Sequence, residues 1–288
     1  MLTPVVNAVA EVRTAVNSER LAGKTIGFVP TMGALHEGHA ALIRAARAAS
    51  DFVVVSIFVN PTQFGPKEDF AKYPRTLEAD QKICAEAGAN LIFAPTVEEI
   101  YPERSVTFVD VKELDAVLEG ASRPGHFRGV CTVVLKLFNI VQPDRAHFGA
   151  KDYQQARIIR QMVRDLNVPV AIQVEPTVRE PDGLAMSSRN RYLSPNERSL
   201  APSIYKALQV VGARATAGEI DVARLESALN AALAAIPGSR IDYARIVDAD
   251  TLQAMTRLDR TALAAVAVFL GTTRLIDNIV INTVHGQE

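Results

Sequence analysis

A turn that carries two histidines is the part of this sequence best suited to chemistry. The decapeptide PTMGALHEGH, residues 30–39, lies between an apolar stretch that predicts a strand and a stretch with helical spacing. His36 and His39 are three residues apart, which at the start of a helix places both imidazoles on one side. Gly33 and Gly38 let a ligand approach the backbone. Unpaired N–H groups and the helix dipole favour an anion there, so we predict a phosphate site.

A second polar segment, AMSSRN, occupies residues 185–190. Arg189 is charged and can bind a phosphate through a fork of N–H donors, and Ser187 and Ser188 add hydroxyl groups. The surrounding stretch EPDGLAMSSRNRYLSP is rich in Pro, Gly, Ser and Asn. Such a composition predicts either a linker or a mobile loop of an active site.

These segments resemble known signatures. HEGH resembles the HxGH signature of the nucleotidyltransferase superfamily, and AMSSRN resembles its KMSKS-type loop, with Ser188 and Arg189 where a lysine is expected. Three further stretches, FVNPTQF (58–64), SRPGHFRG (122–129) and FGAKDYQQ (148–155), resemble segments of the pantothenate synthetase family. The likeness extends over essentially the full chain, with the motifs in the same order.

The resemblance implies an ATP-dependent condensation of pantoate with β-alanine through a pantoyl-adenylate, which releases AMP and pyrophosphate. It implies catalytic roles for His36, His39, Lys151 and Arg189, in which Lys151 meets the ATP phosphates. Gln63 and Gln155 would hold the hydroxyls and the carboxylate of pantoate, because amides suit uncharged polar recognition. The implied ATP-binding set is Met32, Gly33, His36, His39, Gly149, Lys151, Asp152, Val178, Met186, Ser187, Ser188 and Arg189.

Other residues admit a structural reading beside the functional one. The resemblance assigns Asp80 to Mg²⁺, which prefers oxygen ligands, but a solvated aspartate on a helix is the commoner case. Arg123 and His126 would receive β-alanine or pantoate, or they are ordinary loop residues. Asn60 precedes a proline and suits a turn. Cys131 lies in an apolar helical stretch and is expected to be a packed core thiol.

The composition limits the classes of partner. Of the 288 residues 48% are hydrophobic and 22% are charged, and the formal charge is -1, as expected of a globular protein without a basic face for nucleic acid. Two separated cysteines make no disulfide framework. The first residues fail as a signal peptide, and no run is long enough to span a membrane. We expect a cytoplasmic protein without nucleic-acid or membrane partners, and the resemblance implies a homodimer.

The elements that position these residues alternate between strands and helices as far as about residue 180, which predicts a Rossmann-like, doubly wound parallel sheet of the α/β class. We expect this domain to cover residues 1–184, and a smaller α+β domain, residues 185–288, to close over the site. The predicted strands are Thr25–Val29, Phe52–Val59, Leu91–Ala94, Ala146–Gly149, Val170–Val174, Ile241–Val247, Ala264–Leu270 and Arg274–Ile281. The predicted helices are Ala40–Ala49, Thr76–Ala87, Val130–Val141, Tyr153–Leu166, Glu197–Thr216 and Val222–Ala235.

Two alternative functions share the histidine turn. A different nucleotidyltransferase would keep HEGH but lack the paired glutamines, and one that charges tRNA would need a basic face. A nucleotide-binding sensor would bind ATP without turning it over. Exchange of labelled pyrophosphate into ATP that depends on pantoate distinguishes the proposed enzyme from both.

Overall fold

The computed structural model describes residues 2–66, 68–103 and 105–282. The chain divides into two compact units. Unit 1 comprises the chain up to Asp115 together with Arg123–Ala150 and Gln155–Pro176. Unit 2 comprises Ala116–Ser122, Lys151–Gln154 and the chain from Thr177 onward. The chain therefore passes between the units several times. The expected functional division at residues 184 and 185, with the C-terminal part closing over the site, stays a prediction.

Strands and helices alternate through the first half of the chain. The strands are β1 Val5–Val6, β2 Ile26–Thr31, β3 Phe52–Ile57, β4 Leu91–Phe93, β5 Arg145–Gly149, β6 Ala171–Glu175, β7 Ser239–Asp248, β8 Ala262–Leu270 and β9 Thr273–Ile281. The helices are α1 Val9–Leu21, α2 Glu37–Ala49, α3 Leu77–Ala87, α4 Val97–Ile100, α5 Leu118–Ser122, α6 His126–Val141, α7 Tyr153–Asp165, α8 Pro195–Leu200, α9 Ser203–Thr216 and α10 Val222–Ala234. Within the described ranges, no helix combines the length and the apolar character needed to cross a bilayer.

Unit 1 is built on a parallel sheet with the strand order β1-β4-β3-β2-β5-β6. Side chains of a strand alternate between its faces, and neighbouring residues of β2 accordingly pack on different layers. Phe28 contacts Phe138 of α6, whereas Val29 belongs to a cluster with Ile43 of α2 and Cys84 of α3. The chain runs outward from β2 to β4 and then returns to β5 on the other side of β2. This reversal is the switch point at which doubly wound sheets bind ligands.

Unit 2 is built on a three-stranded antiparallel sheet with the order β7-β8-β9. Strand β8 is buried along most of its length because it lies between two partners and under the helices. Leu208 and Val211 of α9 and Leu225 and Leu229 of α10 pack in one core with Val266 of β8. The predicted α/β class and the smaller α+β part are both confirmed.

Several boundaries differ from the prediction for physical reasons. The predicted helix 197–216 is two helices, because Pro202 has no N–H to continue the ladder after Leu200. Helix α2 begins at Glu37 and not at Ala40, since His36 caps it. Strand β1 and helix α1 were not predicted. Cys131 is fully buried, and burial raises the pKa of its thiol to about 12, so the predicted core thiol is confirmed.

A partly buried ion pair joins the short helix α5 to the sheet of unit 2. Both carboxylate oxygens of Glu119 accept hydrogen bonds from the guanidinium of Arg274, at 2.7 and 2.8 Å. The Tyr243 hydroxyl donates to the same carboxylate at 2.9 Å, and the backbone N–H of Glu119 donates to Gln154. These bonds explain why Ala116–Ser122 and Lys151–Gln154 belong to unit 2 although unit 1 surrounds them in sequence.

We expect Glu119→Gln to lower the free energy of unfolding by about 1–3 kcal/mol, because it removes one of the two carboxylates that pair with Arg274 and leaves only Asp242. The control is Glu19→Gln, which removes one partner of the exposed Lys24–Glu19 pair and should cost less than about 1 kcal/mol. Urea unfolding followed by far-ultraviolet circular dichroism measures both. Equal losses in the two variants would contradict a special role for the Glu119 network.

Candidate active site

Five backbone N–H groups of the turn after β2 already donate to acceptors within the protein. The N–H of Gly33 donates to the hydroxyl of Thr31, and the N–H groups of Ala34 and Leu35 donate to Asp80. Those of His36 and Gly38 donate to ring nitrogens of the two histidines. The expected row of unpaired N–H groups for a phosphate is therefore wrong for these five residues. Any anion recognition by this turn must come mainly from side chains.

Asp80 of α3 holds the turn in place. Its residue is 1% exposed, and its carboxylate accepts from Ala34 N at 3.0 Å, Leu35 N at 2.8 Å and the Thr76 hydroxyl at 3.1 Å. Gly33 has φ +80°, and a Cβ there would come within 3.0 Å of an Asp80 oxygen. A side chain at residue 33 is thus excluded by both conformation and space. These contacts give Asp80 a structural role, while the expected metal role stays a prediction.

The two histidines form a capping arrangement at the start of α2. His36 Nδ1 accepts from Gly38 N at 3.1 Å, and His39 Nδ1 accepts from His36 N at 3.3 Å. A ring nitrogen that accepts carries no hydrogen, so each neutral imidazole has its hydrogen on Nε2. The ring centroids are 4.2 Å apart. The turn therefore places two imidazole rings next to each other at a helix N-terminus.

Gln63 lies in a short 3-10 turn, Pro61–Gln63, that follows β3. Its amide contacts Met32 Sδ at 3.2 Å and accepts from Asn60 at 3.1 Å. Asn60 is 1% exposed and also bonds Thr62, Tyr101 and the carbonyl of Gly129. The turn role considered for Asn60 is confirmed, and the residue further joins this turn to α6. Met32 and Gln63 are thus brought together in unit 1.

Arg123 and His126 belong to a chain of hydrogen bonds that ends at the same turn. Arg123 donates to both oxygens of Glu68, at 2.6 and 2.8 Å. Burial raises the pKa of Glu68, but the Arg123 bonds and charge outweigh it and lower that pKa to about 2. Because arginine cannot accept, His126 Nε2 accepts from it at 3.0 Å, and His126 Nδ1–H donates to the Gln63 carbonyl at 2.8 Å. The Arg123 charge is therefore compensated by Glu68.

In unit 2, the polar stretch around residue 185 is an ordered hairpin followed by a turn. Met186 N donates to Val178 O at 3.0 Å, and Arg179 pairs with Ala185. Ser187 then caps a 3-10 helix, Ser188–Tyr192, by accepting from the N–H of Arg189. Val178 and Met186 to Arg189 therefore form one continuous structure. The linker reading is wrong for this segment, because a linker would lack these bonds.

A small cavity in unit 2 brings Lys151 and Ser187 together, with Asn190 and Asp277 in its wall. The side-chain oxygen of Asn190 is buried, and no described residue donates to it. Its amide N–H group donates to Ala185 O at 3.1 Å, which closes the turn that carries Ser187. Two of the segments expected to bind ATP thus line one cavity.

The remaining expected residues lie at element boundaries. Gly149 ends β5, beside the switch point of the sheet. Asp152 is exposed in the 3-10 turn Ala150–Asp152, and Gln155 is half-buried in the first turn of α7. None of the roles expected for these residues is tested by their position, and all stay predictions. Among the described residues, no group of three His, Cys, Asp or Glu side chains is arranged to hold a metal.

The chain matches known proteins along nearly its full length. The family model described as pantoate-beta-alanine ligase matches residues 4–280. A pantothenate synthetase of Moorella thermoacetica is 57% identical over 273 residues, which covers 95% of this chain and 96% of the relative. One from Pseudomonas putida (strain W619) is 55% identical over 279 residues, 96% of this chain and 97% of the relative.

Solved structures agree with the sequence relatives. The crystal structure of pantothenate synthetase from Thermus thermophilus superposes with a TM-score of 0.91 at 51% identity, covering 96% of this chain and 99% of the other. A pantoate-beta-alanine ligase from Francisella tularensis, complexed with Beta-gamma ATP and β-alanine, has a TM-score of 0.79 at 36% identity and covers 96% and 97%. Both units of this chain fall within these matches, and the chain therefore belongs to the pantoate–β-alanine ligase family, the pantothenate synthetases.

Proposed function

We propose that this chain condenses pantoate with β-alanine at the expense of ATP, and that the histidine turn of unit 1 and the Ser187–Arg189 turn of unit 2 act on the same nucleotide. The activity follows from the family match over residues 4–280. The observation that carries the residue assignment is the pair of imidazoles at the start of α2, whose ring centroids are 4.2 Å apart. Imidazole N–H donors suit the oxygens of a phosphate.

The reaction balances in two steps. A carboxylate oxygen of pantoate attacks the α-phosphorus of ATP, and the bond from that phosphorus to the bridging oxygen of pyrophosphate breaks. The neutral amine of β-alanine then attacks the acyl carbon of pantoyl-adenylate, the bond to the AMP oxygen breaks, and the amine loses a proton. Neither step needs a protein nucleophile, so positioning and stabilisation of charge provide the catalysis.

In unit 1, His36 and His39 donate Nε2–H bonds to phosphate oxygens, where charge builds up in the first transition state. His39 is also able to supply a proton as a general acid, since its imidazole carries an N–H group. Gln63 and Gln155 bind the hydroxyls and the carboxylate of pantoate through neutral amides. For Gln63, the bonds to Asn60 and Met32 fix the amide before substrate arrives. Arg123 and His126 contact β-alanine. Their hydrogen bonds, which run from Glu68 to the carbonyl of Gln63, hold the Gln63 backbone.

In unit 2, Lys151 and Arg189 provide the cations for the triphosphate, while Ser187 and Ser188 add hydroxyl donors. Met32, Gly33, Gly149, Asp152, Val178 and Met186 contribute the rest of the nucleotide site. The carbonyl of Val178 already accepts from Met186, which leaves its second lone pair for a ligand donor. Arginine is charged and offers several N–H donors, so Arg189 is able to take the place of the lysine of the signature loop.

Mg²⁺ fits this proposal as an ion carried by the nucleotide. It favours phosphate oxygens with one or two carboxylates, and it needs no cage of protein ligands. The candidate carboxylate is Asp80, whose three accepted hydrogen bonds leave about one acceptor position. When bound, Mg²⁺ would neutralise charge on the transferring phosphates. The residues above do the remaining work of binding and orientation.

The substrates of the proposed enzyme are ATP, pantoate and β-alanine, with no nucleic acid or membrane involved. A cytoplasmic homodimer is the assembly that the family resemblance suggests, and light scattering of the purified protein measures it. The alternative of a nucleotide sensor is tested by pantoate-dependent exchange of labelled pyrophosphate into ATP. A sensor gives no exchange, and a full assay with β-alanine that yields AMP, and not ADP, completes the assignment.

We expect His39→Gln to retain the fold and lose about 10²-fold or more in turnover. A glutamine at this third helical position can still accept from the N–H of the capping residue, so the cap survives while the imidazole is lost. His39→Ala loses both, and its additional cost should appear as lower stability. Steady-state rates and thermal unfolding of the two variants measure this. Near-parental turnover of His39→Gln would contradict the catalytic role.

Lys151→Ala should also fold normally and lose about 10²-fold in turnover, because one cation facing the triphosphate is removed. The matched control is Lys206→Ala, a lysine of α9 in the same unit. Steady-state assays with saturating ATP compare the variants. Equal activity of Lys151→Ala and the control would remove Lys151 from the mechanism.

Asp80→Asn separates the structural role of Asp80 from its expected metal role. We expect the variant to lose about 1–3 kcal/mol of stability without any ligand or metal, because one amide oxygen replaces two charged acceptors. Chemical unfolding in the presence of a chelator measures this loss. A residue that served only Mg²⁺ would show unchanged stability under these conditions, and only the rate would fall.

A further inference from the structure

Two consecutive polar residues interrupt the apolar edge strand β9 of unit 2. Asp277 is 5% exposed and Asn278 is 9% exposed, although they lie in the sequence RLIDNIVI. Buried polar side chains are costly unless they are bonded, so each must find a partner. Their partners are two segments that the proposed function assigns to ATP.

Asp277 holds the hairpin that precedes the Ser187 turn. Both its carboxylate oxygens accept from the guanidinium of Arg179, at 2.6 and 2.9 Å. Arg179 pairs across the hairpin with Ala185, donates to the carbonyl of Gly183 at 3.1 Å, and stacks on Tyr205 with 3.5 Å to the ring centroid. Because Arg179 contacts Asp277, Gly183 and Tyr205 at once, the bidentate pair fixes the position of the hairpin and also neutralises the buried charge of Asp277.

Asn278 holds the other segment. Its side-chain N–H donates to the backbone carbonyl of Lys151 at 2.8 Å, across 127 residues of sequence. Its backbone N–H donates to Asp277 at 2.8 Å, which joins the two side chains into one unit. Lys151 and Ser187 also line the same cavity, and Asp277 is part of its wall. Asp277 and Asn278 of β9 thus connect the backbone of Lys151 to the hairpin through consecutive residues.

We infer that Asp277 and Asn278 are positioning residues for nucleotide activation: they set the Lys151 backbone relative to the Ser187–Arg189 turn. This inference rests on the proposed function, since it assumes that both segments contact ATP. A displacement of about 1 Å in such an arrangement costs about 10²-fold in rate. Pyrophosphate leaves before β-alanine attacks, so contacts to its phosphates act in the first step only. The positioning pair therefore affects adenylate formation far more than amide formation.

The test measures the two half-reactions separately in Asn278→Ala, which removes the bond to Lys151 and leaves the Arg179–Asp277 pair in place. We expect pantoate-dependent pyrophosphate exchange to fall by about 10²-fold, and the consumption of supplied pantoyl-adenylate by β-alanine to stay within about threefold. Asp277→Asn should reduce exchange in the same way. The control is Glu219→Gln, which disturbs a bidentate Arg214 pair at the end of α9 and should leave both half-reactions unchanged.

Exchange within about threefold of the parent in folded Asn278→Ala would overturn the inference, and so would an equal loss in both half-reactions. Should Asp277→Asn fail to fold, the Asn278 variant alone decides. The parent protein distinguishes this failure from that of the proposed function. A parent that shows no exchange refutes the ligase assignment, whereas an active parent with an active Asn278→Ala refutes only the positioning role.

Discussion

The buried carboxylate of Asp80 is the constraint on which unit 1 depends. It accepts the N–H groups of Ala34 and Leu35 from 46 and 45 residues away, and so fixes the turn that brings His36 and His39 to the start of α2. The same bonds remove those N–H groups from ligand binding. A negative charge under a proposed phosphate site also opposes an anion. Under the proposed assignment, the histidine turn therefore orients a phosphate through its imidazoles, and Asp80 adds no positive charge to it.

Much of the fold could be predicted from periodicity. Strands such as Phe52–Ile57 and helices such as Val222–Ala234 have continuous patterns that local sequence determines, and their bounds agree to within a few residues. Strand β1 could not be found in this way, because two residues carry no period and its pairing with β4 is a tertiary contact. The division of the chain into these two units could not be predicted from the sequence either. Short segments such as Ala116–Ser122 join unit 2 through Glu119 and Arg274, which are 155 residues apart.

In the candidate site, too, the short motifs could be predicted from the sequence, whereas the contacts between residues far apart in sequence could not. Residue type and spacing identified the histidine turn and the Ser187–Arg189 turn, since both are short and precede a helical turn. The hydrogen bonds that position them join residues far apart in sequence, such as Arg123 with Glu68, and no local pattern reveals these. One signal was present but not used. An Asp-Asn pair inside an otherwise apolar strand demands buried partners, and Asp277 and Asn278 have them.

The chemistry of the proposed reaction agrees with the distribution of charge between the units. The proposed pantoate recognition in unit 1 relies on the neutral amides of Gln63 and Gln155. The guanidinium of Arg123, which is linked to Gln63 through His126, is already neutralised by Glu68. The cations proposed for the triphosphate, Lys151 and Arg189, belong to unit 2. Under this assignment, adenylate formation requires both units, and residues that fix the cations within unit 2 matter to the rate even where they contact no substrate.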